Sequence, residues 1–253
     1  MAHNKWSGSV SGVAKVAGLY RYPVQSVPGE ELAGVTFGPK GIPGDRGFVI
    51  ADLELGVVAH VSRAKKQYRD LFQWRARYLS DPQPGADLPL VELDFGDGTV
   101  MRSDDRGLDQ AISDRLGMKA AFARNDGSIV PLLFEPSHCH LLTSATLKRL
   151  QQNHETGIFV PARFRPNIFL DCGEEIGFVE QDWLGRKLSV GDARFDINDV
   201  CKRCALTTRA QGDLPSDPGI LQATAQNKTV AGVYGSVIGQ GTVATGDVAM
   251  LSA

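Results

Sequence analysis

The chain has 253 residues, 42% hydrophobic and 22% charged, with a formal net charge of -2. That length buries a core without help from disulfides or structural metals, and the near-balance of charge gives no basic surplus for a nucleic-acid partner. No apolar run approaches the roughly 20 residues that cross a bilayer, and the opening MAHNKWSGSVSGVAKVAG lacks the apolar core of a secretory signal, so a cytoplasmic protein with no membrane partner is expected.

In chain order, most periodic segments read as strands. KVAGLYRYPV, EELAGVTF, RGFVIADLELGVVAHV and LVELDFGDGTVMRS alternate or cluster β-branched and aromatic residues, and Gly96-Asp97-Gly98 predicts a tight hairpin within the last. DDRGLDQAISDRLG then predicts a helix: Leu108, Ile112 and Leu116 recur every four residues behind an Asp cap, and Gly117 closes it. TSATLKRLQQN begins with hydroxyl caps and SDPGILQATAQN carries Pro218 near its first turn, so both are read as helices. RKLSVGDARFDI and TVAGVYGSVIGQGTVATGDVAML return to strand, with a second tight hairpin predicted at Gly239-Gln240-Gly241. The expectation is a mainly β protein with a few peripheral helices. SDPQPGADLP at 80–89 is a Pro/Gly-rich loop that does not divide it, because strand patterns continue on both sides.

Four cysteines, at 139, 172, 201 and 204, are too few for a disulfide scaffold, which leaves free thiols or metal ligands. Two of them stand three apart in DVCKRCALTTRAQGDLP. A structural zinc site needs two further ligands, and SHCHLL offers His138, Cys139 and His140, of which the two histidines share a strand face. A thioredoxin-like pair needs a helix after the first cysteine, and ALTTRAQGDLP has no helical period. The third reading is one reactive thiolate in a cationic pocket, with Lys202, Arg203 and Arg209 nearby and Thr207 and Thr208 as donors; two small core cysteines remain the alternative. His60, His138, His140 and His154 are candidate acids or bases that the sequence does not place beside either cysteine.

FRPNIFLD, WLGRKLSVGDARFDI, CKRCALTT and GVYGSVIGQGTVATGDVAML follow, in order, the pattern of the MOSC family, the carboxy-terminal domain of molybdenum-cofactor sulfurase. GLYRYPVQSVPGEEL and GIPGDRGFVI are similar to the amino-terminal β-barrel segment that accompanies MOSC in the amidoxime-reducing component and its bacterial relatives. The resemblance implies a MOSC-like β-barrel at 126–253, a smaller amino-terminal β-rich subdomain at 12–125, and a molybdenum–molybdopterin cofactor between them. It implies Cys204 as catalytic residue and molybdenum ligand, with Cys201 a neighbour. Ser26, Arg46, Thr143, Ser144, Arg165, Asn167, Arg203 and Tyr234 are the implied cofactor-binding residues. Gln25 stands where the resemblance expects a lysine, so an uncharged amide replaces one cationic contact. Arg209, Gln211 and Asp213 are expected at the substrate mouth. The implied function is reduction of N-hydroxylated or N-oxide small molecules, with electrons from a separate donor protein. The alternative is sulfur transfer through a Cys204 persulfide loaded by a sulfur donor, without molybdenum.

Overall fold

A computed structural model of the chain describes residues 12–61, 65–132 and 139–252; His138 lies outside them. The first part contains β1 (Gly12–Arg21), β2 (Glu30–Leu32), β3 (Gly34–Phe37), β4 (Phe48–Asp52) and β5 (Val57–Val58). After a 3-10 segment come β6 (Arg75–Tyr78), β7 (Val91–Asp94), β8 (Val100–Arg102), α1 (Leu108–Leu116) and β9 (Ala120–Arg124). The second part runs β10 (Cys139–Thr143), α2 (Ser144–Asn153), α3 (Pro161–Phe164), β11 (Ile168–Asp171), β12 (Lys187–Val190) and β13 (Ala193–Lys202). It ends with α4 (Gly219–Ala225), β14 (Val230–Gly239), β15 (Gly241–Ala244) and β16 (Val248–Leu251).

Seven strands close into a barrel in the order β11, β10, β14, β13, β12, β16, β1, with β1 pairing back to β11 and β2 added at the edge. Closure removes the exposed strand edges that an open sheet would present. Its interior holds Leu19, Phe37, Leu141, Ile168, Leu188, Phe195 and Val233, all fully buried. A second core, with Ile50, Leu71, Phe72, Trp74, Leu93 and Ile112, gathers the β4–β5–β9 and β6–β7–β8 sheets around α1. The mainly β architecture with peripheral helices is therefore present. Because β1 pairs with β11 and β16, the barrel draws on both sides of the division expected near residue 125.

Local signals explain the elements and two departures. α1 ends where expected, at Gly117, whose left-handed φ of 60° lets its N–H bond the Ser113 carbonyl. Its start differs: the N-cap is Gly107 with no side-chain cap, while the Asp105 carbonyl accepts from Leu108. Gly96-Asp97-Gly98 makes the β7–β8 hairpin, but Gly239-Gln240-Gly241 does not fold β15 onto β14. There the chain passes so close to Asp192 that a Cβ on Gly241 would lie 2.4 Å from its carbonyl carbon, and β15 departs to pair with β3. That route buries Val243 beside Val35 and Phe37.

Candidate functional site

The site forms where the loop after β1, the turn before β4, α3 and the end of β13 meet. Tyr22 is its hub: its hydroxyl donates to the Pro166 carbonyl at 3.1 Å and its N–H to Asp45 Oδ1 at 2.9 Å. The guanidinium carbons of Arg165 and Arg46 lie 4.1 and 4.6 Å from the centre of its ring. Such cation–π contacts bring two like charges together on one aromatic hub. Arg46 pairs with Asp45 and donates to the Arg165 carbonyl at 3.4 Å. Asn167 donates to Asp45 Oδ2 at 2.9 Å and accepts the His140 N–H at 3.0 Å, linking the turn to β10. Burial, then the charges of Arg46 and Arg203, bring the Arg165 pKa down to about 10.

Ser26, Arg46 and Arg165 adopt left-handed backbone, with φ of 66°, 51° and 54°. Non-glycine residues avoid this region, so three at one place mark strain held by the surrounding fold. The sequence motifs PVQS, GDRG and FRPN each contribute one. Neighbouring Gln25 is buried, its N–H bonded to the Phe48 carbonyl, and Ser26 Oγ accepts the Val61 N–H at 3.4 Å.

Cys201 is buried near the end of β13, with Arg203 Nη1 at 2.7 Å and Tyr234 Oη at 3.2 Å from its sulfur. Burial alone would raise its thiol pKa, but the Arg203 charge, His140 and the Tyr234 hydroxyl outweigh it and bring it to about 6. Tyr234 moves the opposite way, raised by burial and then by the Cys201 charge. Arg203 Nη2 donates to the Phe164 carbonyl at 2.8 Å. His140 Nδ1 lies 3.2 Å from the Arg165 carbonyl, whereas its Nε2 has no partner and faces Gly232 so closely that a Cβ there would lie 2.3 Å away.

Cys204 is exposed and opens the 3-10 turn Ala205–Thr208, its carbonyl accepting the Thr207 hydroxyl at 3.0 Å. Both cysteines are free thiols, Cys201 buried and Cys204 exposed. Among the described residues no three His, Cys, Asp or Glu side chains are grouped to hold a metal. Cys139 and Cys172 point elsewhere, both raised by burial, Cys172 to about 12.

Arg46, Arg165, Asn167, Arg203 and Tyr234 thus converge, with Ser26 at the edge through its loop. Thr143 and Ser144 are engaged elsewhere. Thr143 caps α2 by accepting the Thr146 N–H and donates to the buried Glu180, while Ser144 donates to Asp171 and accepts the Cys172 N–H. The residues that sequence reasoning left out are Tyr22 and Asp45; the YRYP and GDRG turns contained both, but nothing in one sequence marks the contact across 23 positions. His140 enters through the same strand that SHCHLL predicted, and His154 pairs instead with Asp217 at 2.9 Å.

Five buried side-chain polar atoms lack a hydrogen-bond partner among the described residues, and four belong to this region: the donors Arg203 Nε, Arg209 Nε and Gln211 Nε2, and His140 Nε2, an acceptor in the neutral ring because Nδ1 donates to the Arg165 carbonyl. Buried donors are nearly always paired, so the three unpartnered N–H donors fit ligands rich in acceptor oxygens. The arrangement therefore fits an oxyanion-bearing cofactor beside an accessible thiol. A groove of about 480 Å³ on the barrel's outer face, lined by Lys187, Arg194, Asp196 and Ile238, contains no cysteine and lies five or more residues along β13 from Cys201.

Residues 133–249 match the family model described as MOSC domain. The YuaD protein from Bacillus subtilis superposes with a TM-score of 0.50 at 13% identity, covering 94% of each chain. YiiM from Geobacillus stearothermophilus gives 0.36 at 20% identity over 46% of this chain and 55% of that one, and YiiM from Escherichia coli gives 0.35 at 21% over the same shares. Comparison with curated proteins gave no match. Residues 133–249, just under half of the chain, thus match the MOSC domain family, whose members generally bind the molybdenum cofactor.

Proposed function

We propose that the protein is a molybdenum-cofactor oxidoreductase that removes oxygen from N-hydroxylated or N-oxide small molecules, with Cys204 as the thiolate ligand of the metal. The observation that supports it is an exposed cysteine directly after Arg203, whose Nε is buried and unpartnered, in a region that gathers three guanidiniums and one carboxylate. When bound, the cofactor supplies two-electron oxygen-atom transfer, and a soft thiolate suits its metal. Arg46, Arg165, Arg203 and Asn167 would hold the anionic tail, with Arg203 fixed by Cys201 and the Phe164 carbonyl. Gln25 stands where a lysine would add charge, so the remaining cations would carry the Coulomb attraction. Reduction of an N–OH group to N–H consumes two electrons and two protons and releases water. The electrons come from a separate donor protein.

The test is elemental analysis of protein from a host able to make the cofactor, beside Cys204→Ala. Near-stoichiometric molybdenum in the wild type and its loss in the variant are expected; folded protein without molybdenum overturns the proposal. The exposure of Cys204 also favours a second reading, in which its thiolate carries a persulfide for transfer to an acceptor. That reading requires a 32-dalton sulfur adduct on Cys204 by mass spectrometry, a mass of about one sulfur atom, in protein free of molybdenum.

A further inference from the structure

The segment after Cys204 forms a wall with two donors left over. Arg163 is completely buried, makes no salt bridge among the described residues, and donates only to backbone carbonyls. These are Ile158 at 2.9 Å, Thr207 at 3.4 Å, Arg209 at 3.3 Å and Pro215 at 2.8 Å, three of them on the wall. Local opening would strand a charged donor and several acceptors together, so the guanidinium holds this backbone in one arrangement. Gln211 and Leu214 exchange backbone bonds at 3.0 and 2.9 Å, and the Gly212 N–H reaches the Phe72 carbonyl at 3.3 Å.

On this fixed backbone Gln211 is 7% exposed and its Nε2 has no partner. Arg209 Nε is likewise buried and unpartnered, and the residue forms no salt bridge among those described. A carboxylate offers two oxygens and the counter-charge that Arg209 lacks, and an amide N–H supplies a second directional bond. We infer that Arg209 and Gln211 recognise a carboxylate on the substrate, so that the protein takes anionic N-hydroxylated compounds. This rests on the reading of Cys204 as the reaction centre. The donors assigned to the cofactor tail around Tyr22 come from the chain before Cys204, whereas these two come after it.

Calorimetric titration of 4-carboxybenzamidoxime and of uncharged benzamidoxime into the wild type, Arg209→Ala and Gln211→Leu tests the inference, with molybdenum content measured for each. The wild type is expected to prefer the carboxylated probe by about tenfold or more. Each variant loses that preference while keeping the wild-type affinity for the neutral probe and the wild-type molybdenum content. Gln211→Glu, which changes little in size, rejects the carboxylated probe. Equal affinity of the wild type for both probes, binding of neither, or a preference that survives the substitutions overturns the inference. A fall in molybdenum content in Arg209→Ala and Gln211→Leu assigns the donors to the cofactor and overturns it too. A wild type that lacks molybdenum yet prefers the carboxylated probe sinks the reductase proposal and leaves this recognition standing.

Discussion

Cys201 and Cys204 share a motif and little else. One is sealed against Arg203 and Tyr234 inside the fold, the other opens onto solvent at the first residue of a turn. The depressed Cys201 pKa of about 6 has a consequence for stability. Its folded value lies below the usual thiol value, so its contribution is present above the unfolded pKa and is lost as pH falls through about 6. Urea unfolding of the wild type and Cys201→Ser should therefore show a gap that widens from pH 5 to pH 9 by at least about 1.4 kcal/mol, the equivalent of one pKa unit. A gap that stays constant across that range means no thiolate forms there.

Strands and some helix ends were the legible elements, because each rests on local chemistry, although the Asp cap expected before α1 is absent. Thr143 at the start of α2, Gly117 after α1 and the Gly96-Asp97-Gly98 turn needed only their neighbours. The candidate site was legible through its motifs but not in its wiring, since Tyr22 meets Asp45 and Pro166 across 23 and 144 residues. Arg163 shows the difficulty most plainly: a basic residue in PARFRPN reads as surface, and its burial depends on four carbonyls the sequence does not reveal as neighbours. Arg163→Met keeps much of the volume and removes every donor. It should cost at least about 2 kcal/mol by thermal or urea unfolding and speed proteolysis within residues 209–217. Unchanged stability and unchanged cleavage would mean that those carbonyls find other partners.

At the scale of the whole molecule, the helical and strand segments of two cores are held together by pairings between early and late residues. β3 pairs with β15, and Phe37 at the end of β3 meets Phe195 edge-on with ring centres 5.0 Å apart inside the barrel. The Gly239-Gln240-Gly241 hairpin failed as an expectation for the same reason, since a long-range partner outcompeted the nearest strand. Phe37→Ala removes a fully buried ring from this junction and should cost about 3–5 kcal/mol in urea unfolding. A loss under about 1 kcal/mol would show that the barrel interior holds its packing without the Phe37 ring.

The same β1–β16 seam sets an order of events during synthesis. Lys15 lies opposite Val248, so the barrel cannot close until a segment more than two hundred residues downstream has left the ribosome. Pairings of such sequence separation are slow to find, and the early strands must wait with their apolar faces uncovered. The Tyr22 hub belongs to that waiting segment, while Arg165 and Cys201 arrive late. Any ligand that needs all of them can be loaded only after the late strands have joined the early ones, which makes insertion a late step in folding.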